Sequence, residues 1–101
     1  MWHPAKKTSE IAEGAAQSVE LAGRSVAIFK RGGKFYALAN HCLQRGGPLA
    51  DGHLDGDIVT CPWHAWQFDV KTGRCDTMQG AKQKTYKTKI ENGEIWVEIK
   101  D

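Results

Sequence analysis

Two short segments of the sequence carry side chains that can bind a metal ion. Residues 40–49 read NHCLQRGGPL, and residues 61–69 read CPWHAWQFD. Cys61 and His64 are separated by two residues in a turn that contains a proline, so both side chains can face one metal centre. Cys42 gives the first segment a thiol as well, and thiolate and imidazole groups are common ligands of transition metals. The spacing therefore predicts a metal or thiol site made by two loops.

The two segments resemble the C-x-H-x-G-x-P-L and C-x-x-H-x-W-x-F-D boxes of Rieske-type [2Fe–2S] proteins. The sequence is most similar to the small soluble ferredoxins of multicomponent dioxygenases, and the resemblance covers roughly residues 6 to 101. The LADGHLDGDIVT stretch between the boxes and the DVKTGRC continuation also fit. The resemblance implies an all-β Rieske fold of small stacked antiparallel sheets. It also implies a single domain over residues 1–101, with a cluster held between two loops.

The resemblance implies a ligand set with one departure from the family pattern. Cys42 and Cys61 would bind one iron of the [2Fe–2S] cluster, and His64 would bind the other. The second histidine of the family falls at position 44, where this chain has Gln44. An amide keeps the charge balance of the site but is a far weaker ligand than an imidazole. We therefore expect a weak or missing fourth bond and a lowered cluster occupancy.

Four other residues have the chemistry to fill the fourth position, and none of them is expected to do so. His41 directly precedes Cys42, and adjacent side chains in a tight loop usually point apart. His53 is expected to be an exposed residue at the start of a returning strand. Cys75 is expected to be a small, partly buried residue. His3 lies in a terminus that is expected to be frayed.

The resemblance implies a one-electron carrier, not an enzyme. The chain would accept an electron from a flavin-dependent reductase and pass it to a terminal oxygenase. Gly47 and Trp63 stand where high-potential respiratory Rieske proteins carry a bridging disulfide, and Trp66 and Phe68 stand where those proteins carry hydrogen-bonding Ser and Tyr. Without those donors, the reduction potential is expected at the low end of the range of about −150 to +300 mV for Rieske centres.

Three alternatives remain open from the sequence. The chain could be a clusterless Rieske-fold accessory or interaction domain, which Gln44 favours and the intact Cys42, Cys61 and His64 oppose. Gln44 could have been introduced into an ordinary ferredoxin. A structural zinc site is opposed by the lack of a fourth strong ligand. The colour and the iron content of the purified protein discriminate between the electron carrier and the clusterless domain.

Composition excludes several other classes of protein. The chain has 101 residues, 41% hydrophobic and 26% charged, with a net charge of +2. This charge is too small to indicate a nucleic-acid partner, and no apolar run is long enough to span a membrane. The three cysteines argue against a closed disulfide framework. The N-terminus shows no signal peptide, so a cytoplasmic location is expected, and a monomer is the simplest assembly.

The remaining pattern predicts short strands that position the two loops. Gly32-Gly33 and Asn92-Gly93 predict two-residue hairpin turns. A helical turn is expected only over residues 10–16, and functional loops are expected over residues 40–57 and 72–84. Trp63 and Trp66 are expected to cover the site. The alternating lysines at positions 82, 84, 87 and 89 are expected to mark a solvated strand face. Strands are predicted over residues 17–21, 25–30, 34–38, 57–60, 66–70, 86–91 and 94–99.

Overall fold

The computed structural model describes residues 1–41, 47–63, 66–77 and 80–100. Within these ranges the chain forms ten β-strands and two short 3₁₀ helices, which span Thr8–Glu10 and Leu49–Asp51. No helix in these ranges is long and apolar enough to cross a membrane. The strands are β1 (Trp2–Lys7), β2 (Ala16–Leu21), β3 (Arg24–Arg31), β4 (Lys34–Ala39), β5 (His53–Asp55), β6 (Ile58–Thr60), β7 (Gln67–Asp69), β8 (Thr85–Tyr86), β9 (Thr88–Glu91) and β10 (Glu94–Glu98).

The strands of the described residues form three antiparallel sheets. The first sheet has the order β1-β10-β9, the second β2-β3-β4-β8 and the third β5-β6-β7. The prediction of an all-β fold of small antiparallel sheets is therefore confirmed. The third sheet is a meander, and the second of the two candidate segments begins directly after β6 and ends with β7.

Strand β3 is the centre of the hydrophobic core because it is buried on both faces. Val26 and Ile28 pack into one cluster, which includes Ile95 of the first sheet. Ala27 and Phe29 point the other way and pack into a second cluster with residues of the third sheet. All four β3 residues have no solvent exposure. The second sheet is thus a middle layer that holds the other two.

Both predicted two-residue turns are present. Gly32 and Gly33 have φ angles of 63° and 77°, and Asn92 and Gly93 have φ angles of 54° and 75°. Positive φ at both central residues is the geometry of the turn that matches the twist of antiparallel strands. These two turns therefore set the register of the β3–β4 and β9–β10 hairpins.

The strand predicted over residues 86–91 is interrupted. It divides at Lys87 into β8, which pairs with β4, and β9, which pairs with β10. At the division the Thr88 hydroxyl donates a hydrogen bond to the Phe35 carbonyl over 2.8 Å. The chain thus leaves one sheet and joins another, which a continuous pattern of residues does not reveal.

Two other expectations are wrong at the N-terminus. The terminus is not frayed, because His3 lies in β1 opposite Val97 and the Met1 amino group donates to the Ile99 carbonyl over 2.8 Å. Strand β10 is the middle strand of its sheet, paired with β1 on one side and with β9 on the other. The helical turn expected over residues 10–16 is also absent, since the 3₁₀ helix ends at Glu10.

The region expected to be loop over residues 40–57 contains the second 3₁₀ helix and β5.

The carboxylate of Glu13 stabilises the β3–β4 turn. It accepts hydrogen bonds from the backbone N–H groups of Gly32 at 2.6 Å and Gly33 at 3.0 Å. These bonds hold the pKa of the Glu13 carboxyl below its ordinary value, and the bond from Gly33 has the largest effect. A lowered carboxyl pKa contributes stability above the unfolded pKa, and this stability is lost as the pH falls through the folded pKa.

We expect Glu13→Gln to lower the urea midpoint at pH 7 and to flatten its decline below about pH 4, because the variant has no carboxylate to protonate there. Urea titrations between pH 2.5 and 7 would measure both effects. Glu20→Gln, at an exposed position of β2, is the matched control. Parallel pH profiles for wild type and Glu13→Gln would contradict this reading of the turn.

Candidate metal centre

The structure describes one of the four predicted cluster-binding residues. Cys61 lies at the end of β6, whereas Cys42, Gln44 and His64 lie outside the described residues. Both ends of each candidate segment are nevertheless described. The contacts of these end residues therefore show how the backbone of each segment is anchored.

The second segment begins directly after β6 and ends with β7. Thr60 of β6 pairs with Gln67 of β7, so the described ends of the connection lie side by side. Next to this pair, the backbone N–H of Cys61 donates to the Trp66 carbonyl over 2.8 Å. Cys61 is only 1% exposed. The thiol is therefore held at the edge of the core, beside the paired ends of β6 and β7.

Asn40 anchors the first segment at both of its ends. Its backbone carbonyl accepts the N–H of Leu49 at 2.7 Å, and its side-chain oxygen accepts the N–H of Ala50 at 2.9 Å. Its amide nitrogen donates to the Ser25 hydroxyl over 3.1 Å. Asn40 is buried, so these bonds satisfy polar groups that water does not reach. The two ends of the segment are therefore tied together and to β3.

The two segments meet at Gly47, Cys61 and Trp63. A Cβ atom at Gly47 would lie 2.8 Å from Cγ of Trp63 and 3.1 Å from Sγ of Cys61. Real Cβ atoms are not found this close to other atoms, so position 47 requires glycine for this close approach. Positions 47 and 63, which the resemblance aligns with a bridging disulfide, are therefore neighbours, and glycine and tryptophan form no such bond.

The two tryptophans differ in exposure. Trp63 packs on Gly47 while 63% of its surface remains exposed, so it forms part of the outer face of the site. Trp66 is half-buried, and its ring lies 6.5 Å from that of Phe68, which is fully buried. Phe68 presents no hydrogen-bond donor on its side chain. The described surroundings of Cys61 are therefore apolar beneath and aromatic above.

Gln83 is a residue of the site that the sequence analysis missed. Its side-chain nitrogen donates to the carbonyls of Ala39 at 2.7 Å and His41 at 2.6 Å, on both sides of Asn40. Gln83 is 1% exposed, and its Oε1 has no hydrogen-bond partner among the described residues. The sequence does not indicate this position, because Gln83 stands between two lysines and the pattern KQK is typical of a solvated surface.

Gly73 accounts for the burial of Gln83. The Gln83 N–H donates to the Gly73 carbonyl over 2.6 Å. A Cβ atom at Gly73 would collide with the Gln83 backbone carbonyl, so glycine alone permits this approach. The chain is thereby drawn against the base of the first segment. Gln83 is therefore a positioning residue for the backbone that leads to Cys42.

The other candidate ligands have these positions. His53 is exposed at the start of β5, as predicted, and its backbone pairs with Thr60. Cys75 is 4% exposed and belongs to the same apolar cluster as Cys61, so it is more deeply buried than expected. His41 is exposed, and its backbone bridges to Pro48. Among the described residues, no three His, Cys, Asp or Glu side chains come together as a metal site.

This arrangement fits a group held between two loops. A buried thiol is present, and thiolates are the ligands of iron–sulfur clusters. A glycine without room for a Cβ brings the two segments into contact above it. Buried amides on Asn40 and Gln83 fix the base of the first segment from two sides. The described residues are therefore compatible with a cluster between the segments.

Replacement of Gln83 with Leu should lower the free energy of unfolding by about 1 kcal/mol, because two partly buried carbonyls lose their donor. Gln83→Glu should also destabilise, since a carboxylate has the same shape but cannot donate. Amide exchange at Leu49 should become faster in both variants. The control is Gln67→Leu on an exposed glutamine. Urea melts that show equal midpoints for Gln83→Leu and Gln67→Leu would argue against the anchoring role.

The sequence and the fold match those of known proteins. A family profile described as Rieske [2Fe-2S] domain matches residues 1–90. The ferredoxin component of the naphthalene 1,2-dioxygenase system of Pseudomonas putida is 33% identical over 99 residues, which cover 97% of this chain and 95% of that protein. The ferredoxin of carbazole 1,9a-dioxygenase from Nocardioides aromaticivorans IC177 superposes with a TM-score of 0.91 at 22% identity and covers 99% of both chains.

A second solved structure is a complex of reduced oxygenase and oxidized ferredoxin in carbazole 1,9a-dioxygenase. One of its chains superposes with a TM-score of 0.87 at 27% identity, covering 95% of this chain and 91% of that one. Full-length agreement in sequence and in structure thus supports the resemblance of the two boxes. The chain belongs to the Rieske [2Fe–2S] domain family and is homologous to the ferredoxin components of dioxygenase systems.

Proposed function

We propose that this chain is the one-electron carrier of an oxygenase system, with no catalytic activity of its own. The observation that carries the proposal is the contact of Gly47, Cys61 and Trp63, which joins the two candidate segments over a buried thiol. It occurs in a chain that aligns over nearly its whole length with a dioxygenase ferredoxin component. A buried thiol beside an exposed aromatic face suits a protein that holds a redox group close to its surface.

Four residues are proposed to form the binding site for the [2Fe–2S] cluster. Cys42 and Cys61 supply the thiolates and His64 supplies an imidazole, while Gln44 occupies the position of the second imidazole. When bound, the cluster supplies the uptake and release of one electron. Trp63 covers the junction of the two segments and limits the access of water to Cys61.

The two proposed redox partners are a flavin-dependent reductase and a terminal oxygenase. One similar structure contains a ferredoxin in complex with its oxygenase, and this is the basis for assigning an oxygenase to the present chain. The exposed Trp63 marks the face on which such a partner would dock, since aromatic residues are enriched at protein interfaces. We further propose a single domain over residues 1–101 that acts as a monomer in the cytoplasm.

The described environment of Cys61 favours a low reduction potential. Phe68 is fully buried and offers no hydrogen bond, and Trp66 packs against it. Hydrogen-bond donors near an iron–sulfur cluster stabilise its reduced, more negative form. Their absence on Phe68 places the expected potential in the lower part of the range of about −150 to +300 mV for Rieske centres.

A clusterless interaction domain is the second candidate function. Gln44 favours it, because an amide in place of an imidazole weakens the ligand set. The visible spectrum and the iron and sulfide content of protein purified without air, with cluster assembly machinery supplied, discriminate between the two functions. A brown protein with close to two irons per chain supports the carrier. A colourless, iron-free protein supports the interaction domain.

The ligand assignment is tested by two matched cysteine variants. Cys61 and Cys75 are both buried in the same apolar cluster, so Ser imposes a similar loss of packing at each position. We expect Cys61→Ser to lose its iron and visible absorption almost completely and Cys75→Ser to retain both. Thermal melts of the two variants would verify that each one folds. Loss of the cluster in Cys75→Ser with retention in Cys61→Ser would refute the proposed ligand set.

Replacement of Gln44 with His should strengthen the site. An imidazole is a much stronger ligand for iron than an amide, so the lifetime of the cluster in air should rise by at least about tenfold. A second imidazole that ionises on ferric iron should also make the potential fall with pH over two ionisations instead of one. Voltammetry and iron analysis of both proteins would measure these changes. Equal lifetimes with an unchanged pH profile would show that position 44 is not a ligand position.

A further inference from the structure

A basic groove lies where strands β4 and β9 diverge. It has a volume of about 690 Å³ and is lined by residues of β4, β8 and β9, by the two residues that follow β7, and by the end of β10 with Lys100 beyond it. The β4–β8 ladder reaches only the pair Ala37–Tyr86, and beyond it β9 belongs to another sheet. The groove is therefore bordered by two strand edges. Its lysines are Lys34, Lys71, Lys84, Lys87, Lys89 and Lys100.

The charge of the groove is greater than that of the whole protein. Six lysines and one carboxylate, that of Glu98, give the lining a formal charge of +5, whereas the chain as a whole carries +2. The rest of the molecule is therefore net negative. Such a separation of charge favours an anionic partner at this face of the protein.

Half of these lysines have no carboxylate partner among the residues that the structure describes. Lys71, Lys89 and Lys100 form ion pairs with Asp57, Glu91 and Glu98 at 3.4, 3.1 and 3.8 Å. Within the described parts of the chain, Lys34, Lys84 and Lys87 form no ion pair. These three ammonium groups are the ones available to a ligand.

The shape of the groove suits an extended peptide. Its floor is apolar at Phe35 and Ala37, and Ile90 at its border is 53% exposed. An extended chain points alternate side chains to opposite sides, so carboxylates can meet the lysines while apolar residues meet the floor. Stacking of nucleic-acid bases is less favoured, because the Lys84 ammonium group already lies 5.4 Å from the centre of the Tyr86 ring.

The groove is separate from the candidate metal centre. Strand β4 runs from Lys34 in the groove to Ala39, next to Asn40 at the base of the first segment. Six residues of strand span about 17–20 Å. Neither Gly47 nor Trp63 lines the groove. A ligand in the groove would therefore leave the Trp63 face free.

We propose that this groove binds an extended acidic segment of a protein partner. The inference rests on the proposed function, because the partner is one of the two redox proteins that the carrier serves. Binding in the groove tethers that partner and raises its effective concentration while the Trp63 face makes and breaks its contacts. The groove thus supplies the affinity for the partner, whereas electron exchange takes place through short-lived contacts at the Trp63 face.

Peptide binding at 150 mM salt tests the proposal. The probe is a fluorescent ten-residue peptide of alternating Glu and Val. Lys34→Glu combined with Lys87→Glu reverses two unpaired groove lysines, and Lys7→Glu combined with Lys82→Glu makes the same change of charge at exposed lysines outside the groove. We expect the groove variant to weaken binding by at least about tenfold and the control variant by no more than about twofold.

Three outcomes would overturn the proposal. They are equal losses in the two variants, equal affinity for the peptide with Gln in place of Glu, and tighter binding of a ten-nucleotide single-stranded DNA than of the peptide. Amide shifts on peptide addition should also lie on β4 and β9 and not at Asn40 or Trp63. The visible spectrum of the wild-type protein separates the two hypotheses. A wild-type protein without a cluster refutes the carrier, whereas peptide binding that is weakened in the groove variant and kept in the control variant still supports the groove.

Discussion

The burial of β3 on both faces is the constraint on which the rest of the structure depends. Val26 and Ile28 pack toward the sheet of β1, β9 and β10, and Ala27 and Phe29 pack toward the sheet of β5, β6 and β7. A strand buried in this way requires apolar residues in succession instead of in alternation. Neither outer sheet has a core of its own, so each is positioned by the middle layer. The position of the candidate metal centre follows from this packing, because its second segment begins directly after β6 and ends with β7.

The candidate centre depends on buried polar groups, whereas the core beneath it is apolar. Asn40 and Gln83 are both buried, and their amides bind backbone groups at the base of the first segment. Among the described residues, Oε1 of Gln83 remains without a partner. A buried amide loses free energy for each donor or acceptor left without a partner, so the bonds of Asn40 and of the Gln83 nitrogen restrict each side chain to few geometries. This requirement makes the contacts of the Asn40 and Gln83 side chains more specific in their geometry than apolar packing would be. They fix the direction in which the chain leaves β4 toward Cys42.

Much of the fold could be predicted from local sequence, and the exceptions share one cause. Gly32-Gly33 and Asn92-Gly93 specify their turns through positive φ angles, and the run of four apolar residues in β3 specifies its strand. The division of the strand at Lys87 and the pairing of β1 could not be predicted, because both are decided by which sheet edge is available. Such edges are a property of the assembled layers.

The same distinction applies to the candidate site. Cys61 was predicted because its residue type and spacing carry the chemistry. Gln83 lies 22 residues further along the chain, between two lysines, and became visible only when its contacts with Ala39 and His41 were known. Its burial follows from the close approach of Gly73, which is again a tertiary contact.

The charge of the molecule is arranged so that its two proposed surfaces do not compete. Trp63 is the exposed aromatic residue next to Cys61, and six of the ten lysines line the groove between β4 and β9. A strongly charged surface around Trp63 would hold a partner of opposite charge tightly and slow its departure, whereas a carrier must release each partner after one electron. Charge placed about one strand length away attracts the partner without adding to the contact that must break.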